Sequence, residues 1–253
     1  MRQLVRSLIS RAGYDVSRKI GLERIFPEAD AVDLRRMEEV RAFTMTSQER
    51  LWALRQAVKY VVSRKLPGAF VECGVWRGGS SMLAARTFVD LGDTSRELWL
   101  YDTSEGMPTP TEADRRIDTG EGAHDKFEKA RTGEDSSAWC EASLEDVAEN
   151  LAATGYPSER IRYIIGKTQD TLADPANRPA AISLLRLDTD WYESTSAELN
   201  ALFDQVTPGG VVIFDDYGHW AGAKQAVDEF FAARGNPYLL NRIDYSGRMM
   251  VKN

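Results

Sequence analysis

The 253-residue chain has little of several things, and each shortage excludes something. Its two cysteines, Cys73 and Cys140, stand far apart with no CxxC pair, so neither a disulfide framework nor a zinc-finger spacing is present. A reducing compartment, the cytoplasm, is the expected location. Only two histidines, His124 and His219, are available, which leaves few nitrogen ligands for a transition metal. No Lys/Arg-rich run occurs, and the formal net charge is −7, so a nucleic-acid footprint is not expected. Apolar runs are short: in the opening "MRQLVRSLISRAGYDVSRKIG" they are broken by Arg6 and Arg11, which reads as a docking helix or, alternatively, a targeting or membrane-surface segment. No membrane span is expected. Neither GxGxxG nor GxxxxGK[ST] is found, which disfavours a dinucleotide fold of the usual fingerprint and a P-loop enzyme.

What is present is a regular alternation. Residues 68–75, 97–103, 161–167, 181–188, 209–216 and 238–244 are short runs of β-branched and apolar residues between turn signals, with "RMMVKN" as a closing partner. Helical patterns separate the first five, and such nearly continuous apolar strands belong in a parallel sheet covered on both faces. The expected fold is α/β: a doubly wound, mostly parallel, seven-stranded Rossmann-like sheet that ends in an antiparallel hairpin. Residues 1–45 read as an N-terminal helical extension on the substrate side and 46–253 as the main domain. Within that domain, residues 104–141 are polar and without strand period, as in an insertion or lid. Before the first strand, "TSQERLWALRQAVKYVVSRKLPG" is a helix that Thr46 or Ser47 would cap.

Two patterns carry chemistry. In "FVECGVWRGGSSM" the glycines Gly74, Gly78 and Gly79 fall where a strand yields to a helix, a place where backbone closely approaches a ligand. Glu72 would repel a pyrophosphate there but pair with an amino group, and Asp102, at the end of the second strand, would accept from ribose hydroxyls. Together they describe a pocket for S-adenosylmethionine; the alternative is an ordinary strand–helix turn with a capping Asp. The second pattern is acidic. "LLRLDTDWYEST" ends an apolar run in Asp188 and Asp190, and "VIFDDYG" ends another in Asp215 and Asp216. Neighbouring strands would bring three carboxylates together, and three anions at one point call for protons or a hard cation, Mg²⁺ or else Ca²⁺ or Mn²⁺. The alternative has Asp188 and Asp215 capping the helices that follow. Asp188 is assigned to metal and Asp190, past the strand end, to proton removal.

The blocks "TMTSQERLWALRQAVKYVV", "GAFVECGVWRGGSSM", "YDTSEGMP", "LRLDTDWYEST" and "PGGVVIFDDYG" resemble the macrocin O-methyltransferase family, which includes a sugar methyltransferase of novobiocin biosynthesis. The resemblance implies a class I methyltransferase fold, S-adenosylmethionine, Mg²⁺ and a sugar hydroxyl of a glycosylated natural product as acceptor. It implies metal ligands Asp188, Asp215 and Asp216, the first also near the cofactor, and Asp190 as base. It also implies cofactor contacts at Met45, Ser47, Glu72, Cys73, Gly74, Val75, Trp76, Asp102, Thr103, Ser104, Gly106, Ser143 and Asp170. His219 is a second base, a substrate hydrogen-bond donor or a packing residue. A homo-oligomer and a small-molecule glycoside are the expected partners. Related catechol methyltransferases resemble a pattern with lysine three residues after the first metal Asp, where this chain has Trp191. A catechol-type acceptor is therefore the secondary expectation, and a metal-dependent hydrolase or a non-catalytic cofactor-binding scaffold ranks lower. Phe43, Trp139, Trp191, Tyr192, Tyr217 and Trp220 are candidates for stacking on the acceptor, at least half of them expected to be core.

Overall fold

The computed structural model describes residues 21–235 and 238–253, so the docking helix read from the opening segment lies outside the described residues. After a short helix α1 (Leu22–Ile25) come α2 (Ala31–Glu39) and α3 (Gln48–Ser63). Strands and helices then alternate: β1 (Ala69–Cys73), α4 (Gly79–Asp90), β2 (Leu98–Asp102), α5 (His124–Ala130), α6 (Leu144–Ala152), β3 (Ile161–Ile165), α7 (Thr168–Thr171), β4 (Ile182–Leu187), α8 (Tyr192–Leu202), β5 (Val206–Phe214) and α9 (Ala221–Arg234). The hairpin β6 (Asn241–Arg242) and β7 (Arg248–Val251) follows. The sheet has seven strands in the order β3-β2-β1-β4-β5-β7-β6, with β7 antiparallel to β5 and to β6.

Both faces of the sheet are covered, which is why its strands read as nearly unbroken apolar runs. Phe70, Leu184, Val211 and Ile213 point into one core with α3 and α4. Their neighbours Val71, Leu185, Val212 and Phe214 point into the other, with Leu199 of α8 and Val227 of α9. The sixth strand is shorter than the pattern 238–244 suggested, because Asp244 turns the chain: its Oδ1 accepts from the backbone N–H groups of Ser246 at 2.9 Å and Gly247 at 2.6 Å.

Register sets up the site. Cys73, Leu187 and Phe214 are level across β1, β4 and β5, so the next residues, Gly74, Asp188 and Asp215, emerge together at the carboxyl edge. The strand order also reverses between β1 and β4, the position where open α/β sheets leave a crevice for ligands. The polar stretch after β2 contains α5 and is tied down across this crevice. Arg116 bridges to Trp220, and buried Asp114 accepts from the N–H of Tyr192 at 2.9 Å at the start of α8.

Candidate active site

A cavity opens at that edge. One wall includes Gly74, Val75, Trp76, Asp102, Thr103 and Gly106, where cofactor contacts are expected, and the other includes Asp188, Asp190, Asp215, Asp216 and His219. The glycine turn works by close approach: Gly74 has φ of +83°, and a Cβ there would lie 2.0 Å from the carbonyl oxygen of Asp188. The two turns that end β1 and β4 therefore touch. Asp102 braces the glycine turn, its Oδ2 accepting from the N–H groups of Val75 at 2.7 Å and Trp76 at 3.0 Å and its Oδ1 from that of Ser104 at 2.8 Å. Oδ2 thereby uses both of its lone pairs, and Oδ1 keeps one in reserve for a ligand hydroxyl.

Met45 also lines the cavity and is exposed. The other expected cofactor residues lie behind or beside it. Ser47 and Ser143 cap α3 and α6, accepting from the N–H groups of Arg50 and Asp146. Asp170 sits in the first turn of α7, and Cys73 is buried in the core on the opposite side of the sheet from Phe70. Glu72 is 1% exposed; it accepts from Ser81 and pairs with Arg186 at 2.6 Å.

Arg186 is the residue the sequence patterns passed over. Its guanidinium, 2% exposed near the carboxyl end of β4, also donates to Asp188 Oδ2 at 2.6 Å, Asp215 Oδ1 at 2.5 Å and Thr46 Oγ1 at 3.0 Å. Asp215 takes a second guanidinium, Arg50, on Oδ2. The carboxylates consequently differ. Burial opposes ionisation of Asp215, but Arg186 and Arg50 outweigh it and hold its pKa below the ordinary value. Asp188 and Asp216 are pushed well above the usual range by burial, with the adjacent carboxylates adding to the effect. Asp216 forms no ion pair among the described residues; its Oδ2 accepts from the N–H of Asp190 at 3.3 Å.

Asp190 stands at φ +65°, a left-handed turn that Asp tolerates better than most residues. The turn swings it off the line of β4 and into the cavity wall. Burial, and then Asp188, push its pKa up to about 7. His219 lines the same wall, its ring 4.9 Å from that of Trp220 and its Nδ1 3.3 Å from Tyr245 Oη. Burial lowers its pKa, with Arg116 contributing, so it is neutral at physiological pH.

Of the aromatic candidates, Trp139 and Trp220 line the cavity and pack edge-on against Trp191, which is itself buried. Tyr192 and Tyr217 instead bond outward to Glu229 and Asp228, and Phe43 packs under Arg77. A further buried acid, Glu198 on α8, accepts from Thr189 Oγ1 at 2.9 Å and is pushed up to about 8 by burial.

Asp188, Asp215 and Asp216 each offer a carboxylate oxygen, all within 4.8 Å of one another. An all-oxygen set of this kind fits a hard divalent cation. Among the described residues no helix is long and apolar enough to cross a membrane.

Comparison with known proteins agrees with this architecture. Residues 24–252 match the family model described as macrocin O-methyltransferase (TylF). The 8-demethyl-8-(2,3-dimethoxy-alpha-L-rhamnosyl)-tetracenomycin-C 4′-O-methyltransferase of Streptomyces olivaceus is 34% identical over 221 residues, covering 87% of this chain and 80% of that protein. The demethyldecarbamoylnovobiocin O-methyltransferase of Streptomyces niveus is 34% identical over 191 residues, 76% of this chain and 68% of its own. The solved structure of the O-methyltransferase NovP superposes with a TM-score of 0.70 at 32% identity, over 83% of this chain and 82% of that one. The seven-stranded sheet with its antiparallel end, the glycine turn and the match along nearly the whole chain lead to one conclusion: this protein belongs to the macrocin O-methyltransferase family and is an S-adenosylmethionine-dependent O-methyltransferase of the class I fold.

Proposed function

We propose that the acceptor is a sugar hydroxyl of a glycosylated natural product and that the reaction uses a divalent cation, Mg²⁺ foremost, held by Asp188, Asp215 and Asp216. The observation that carries this is the convergence of those three carboxylates, within 4.8 Å of one another, on the wall of the cavity facing the glycine turn. The relatives support the acceptor class: one name specifies a rhamnosyl group, and another, at 29% identity, a 3″-O-methylation of mycinamicin III.

When bound, the cofactor supplies an electrophilic methyl group, and the cation supplies Lewis acidity and a positive charge that would bring down the raised pKa values of Asp188 and Asp190. The chain's own contribution is placement and proton removal. Gly74, Val75 and Trp76 present backbone to the cofactor's amino-acid end, and Asp102 presents the remaining lone pair of Oδ1 to the ribose. Asp190, in the wall between Asp188 and Asp216, takes the proton of the acceptor hydroxyl at Oδ. Trp139, partly exposed in the cavity wall and backed by buried Trp220, offers flat apolar surface on which a sugar ring stacks, and neutral His219 offers it a hydrogen bond. Trp191 occupies the place where the catechol enzymes' pattern has lysine, and it is buried with its Nε1 donating to Pro108 O at 3.0 Å, so no lysine stands there as a base.

The test is methyl transfer from labelled S-adenosylmethionine to a panel of natural-product glycosides and, separately, to catechols, with and without EDTA. Glycosides are expected to be methylated, EDTA to abolish turnover and Mg²⁺ to restore it. Full turnover in EDTA would sink the metal reading, and turnover of catechols alone would sink the acceptor reading.

A further inference from the structure

Resting on the reading that Asp188, Asp215 and Asp216 hold a divalent cation, we propose that Arg50 is a built-in counter-cation of that site, clamped against Asp215 so that any metal must share this carboxylate with a fixed guanidinium and binds more weakly for it.

The observations concern where Arg50 is held. It lies in the first turn of α3, and its side chain is 10% exposed. Nη1 meets Asp215 Oδ2, while Nε donates to Asp244 Oδ2 at 3.0 Å and to Ser47 Oγ at 3.3 Å. Asp244 is itself fixed, accepting from Ser47 Oγ at 2.7 Å and from the two hairpin N–H groups. Backbone closes over the stem as well: a Cβ on Gly247 would come within 2.9 Å of Arg50 Cγ and Cδ. A guanidinium stays charged throughout the accessible pH range, so Arg50 has no neutral form by which to stop repelling a cation. Its seat beside the hairpin keeps it from swinging away as an exposed arginine would.

Arg186 has a different task. It also touches Asp188, Asp215 and Thr46, but it is in addition the partner of Glu72, a buried carboxylate with no other cation beside it among the described residues. Arg50 adds nothing to Glu72. Its contacts are Asp215, Asp244 and the cap of α3, and it lines the cavity where a metal would sit. Two explanations for Arg50 thus make opposite predictions. If it serves to orient Asp215 for the metal, deleting it weakens metal binding. If it is a counter-cation, deleting it strengthens metal binding.

Isothermal titration of the metal-free full chain with Mg²⁺ reads the sign without any turnover. Arg50→Met is expected to bind Mg²⁺ about tenfold more tightly than wild type, since a unit charge is removed from beside a dication in a partly buried site. Arg50→Lys, which keeps the charge, should lie nearer to wild type. Unchanged or weaker binding by Arg50→Met would overturn the proposal, and so would an Arg50→Lys as tight as Arg50→Met. Should Arg50→Met fail to fold, judged by circular dichroism and S-adenosylmethionine binding, Arg50→Gln, neutral yet still a donor to Asp244, carries the same expectation. Absence of Mg²⁺ binding in wild type and variants alike would instead refute the metal reading itself, and this inference with it.

Discussion

Replacing Arg186 by methionine should be among the most damaging single changes in this protein, and the size of the effect follows from what the guanidinium leaves behind. Methionine fills much of the stem but none of the four hydrogen bonds. Asp215 keeps Arg50, and Asp188, with 28% of its side chain exposed, is partly rescued by water. Glu72 has no such recourse: it is 1% exposed, and only the Ser81 hydroxyl remains. Stranding one member of a buried ion pair costs about 3–5 kcal/mol, and since only one of the three carboxylates is fully stranded, about 3 kcal/mol is expected. With a urea slope of about 2–3 kcal/mol/M, the unfolding midpoint should fall by about 1–1.5 M. The companion experiment adds Glu72→Gln to Arg186→Met, which neutralises the stranded group and should recover about half of the loss. A midpoint shift below about 0.3 M in the single variant, or no recovery in the double, would show that the network does not hold the fold in the way described.

Two further outcomes are expected. Asp190→Asn should lower kcat by about 10²–10⁴, the range for loss of a general base, while titrations show Mg²⁺ and S-adenosylmethionine binding near normal. In wild type the rate should rise with pH as Asp190 gives up its proton, a limb that the variant lacks; near-normal turnover by Asp190→Asn would shift the base to His219 or to solvent. Glu198 gives a stability signature of definite sign. Its folded pKa of about 8 lies above the ordinary value of 4.5, so its contribution is intact below the latter and is lost as pH rises through about 8. Urea midpoints at pH 5 and pH 8.5 should therefore diverge more for wild type than for Glu198→Gln, and equal divergence would rule out this role.

Much of this was legible before any coordinates. Apolar runs gave the strands, and the carboxylates at the ends of β4 and β5 gave the acidic cluster, since adjacent parallel strands must release their next residues at the same edge. The departure of Asp190 from the strand line was readable too, because a polar residue two places beyond an apolar run belongs to the turn. Arg186 was visible but unread: an arginine inside "AISLLRLD" and a glutamate inside "GAFVECGV" are opposite charges in two buried strands, and the register pairs Glu72 with Arg186 directly. Glu198 carried a similar signal, sharing the inward face of α8 with Thr195, Leu199 and Leu202. Arg50 carried none. Helical periodicity shows that α3 has a buried face but not that the hairpin will fold over its first turn. Ser47 had two readings, cap and cofactor contact, and spacing alone cannot choose between them. The stretch after β2 lacks periodicity because isolated bridges and single side chains such as Asp114 fix it in place.

The C-terminal hairpin bears on how the enzyme comes into being. Ser246 Oγ donates to the carbonyl of Asp215 at 2.6 Å, the N–H of Gly218 donates to Ser246 O at 2.8 Å, and β7 pairs with β5 along Val211–Phe214. All of these contacts come from residues that leave the ribosome after the five parallel strands. A nascent chain folding from its N-terminal end would thus build the cofactor turn of β1 and α4 early, yet carry an unfinished acidic wall and an open β5 edge until the hairpin emerged. Translation order alone would separate cofactor capture from catalytic competence, and a release-stalled ribosome complex would be the place to see a chain that holds one without the other.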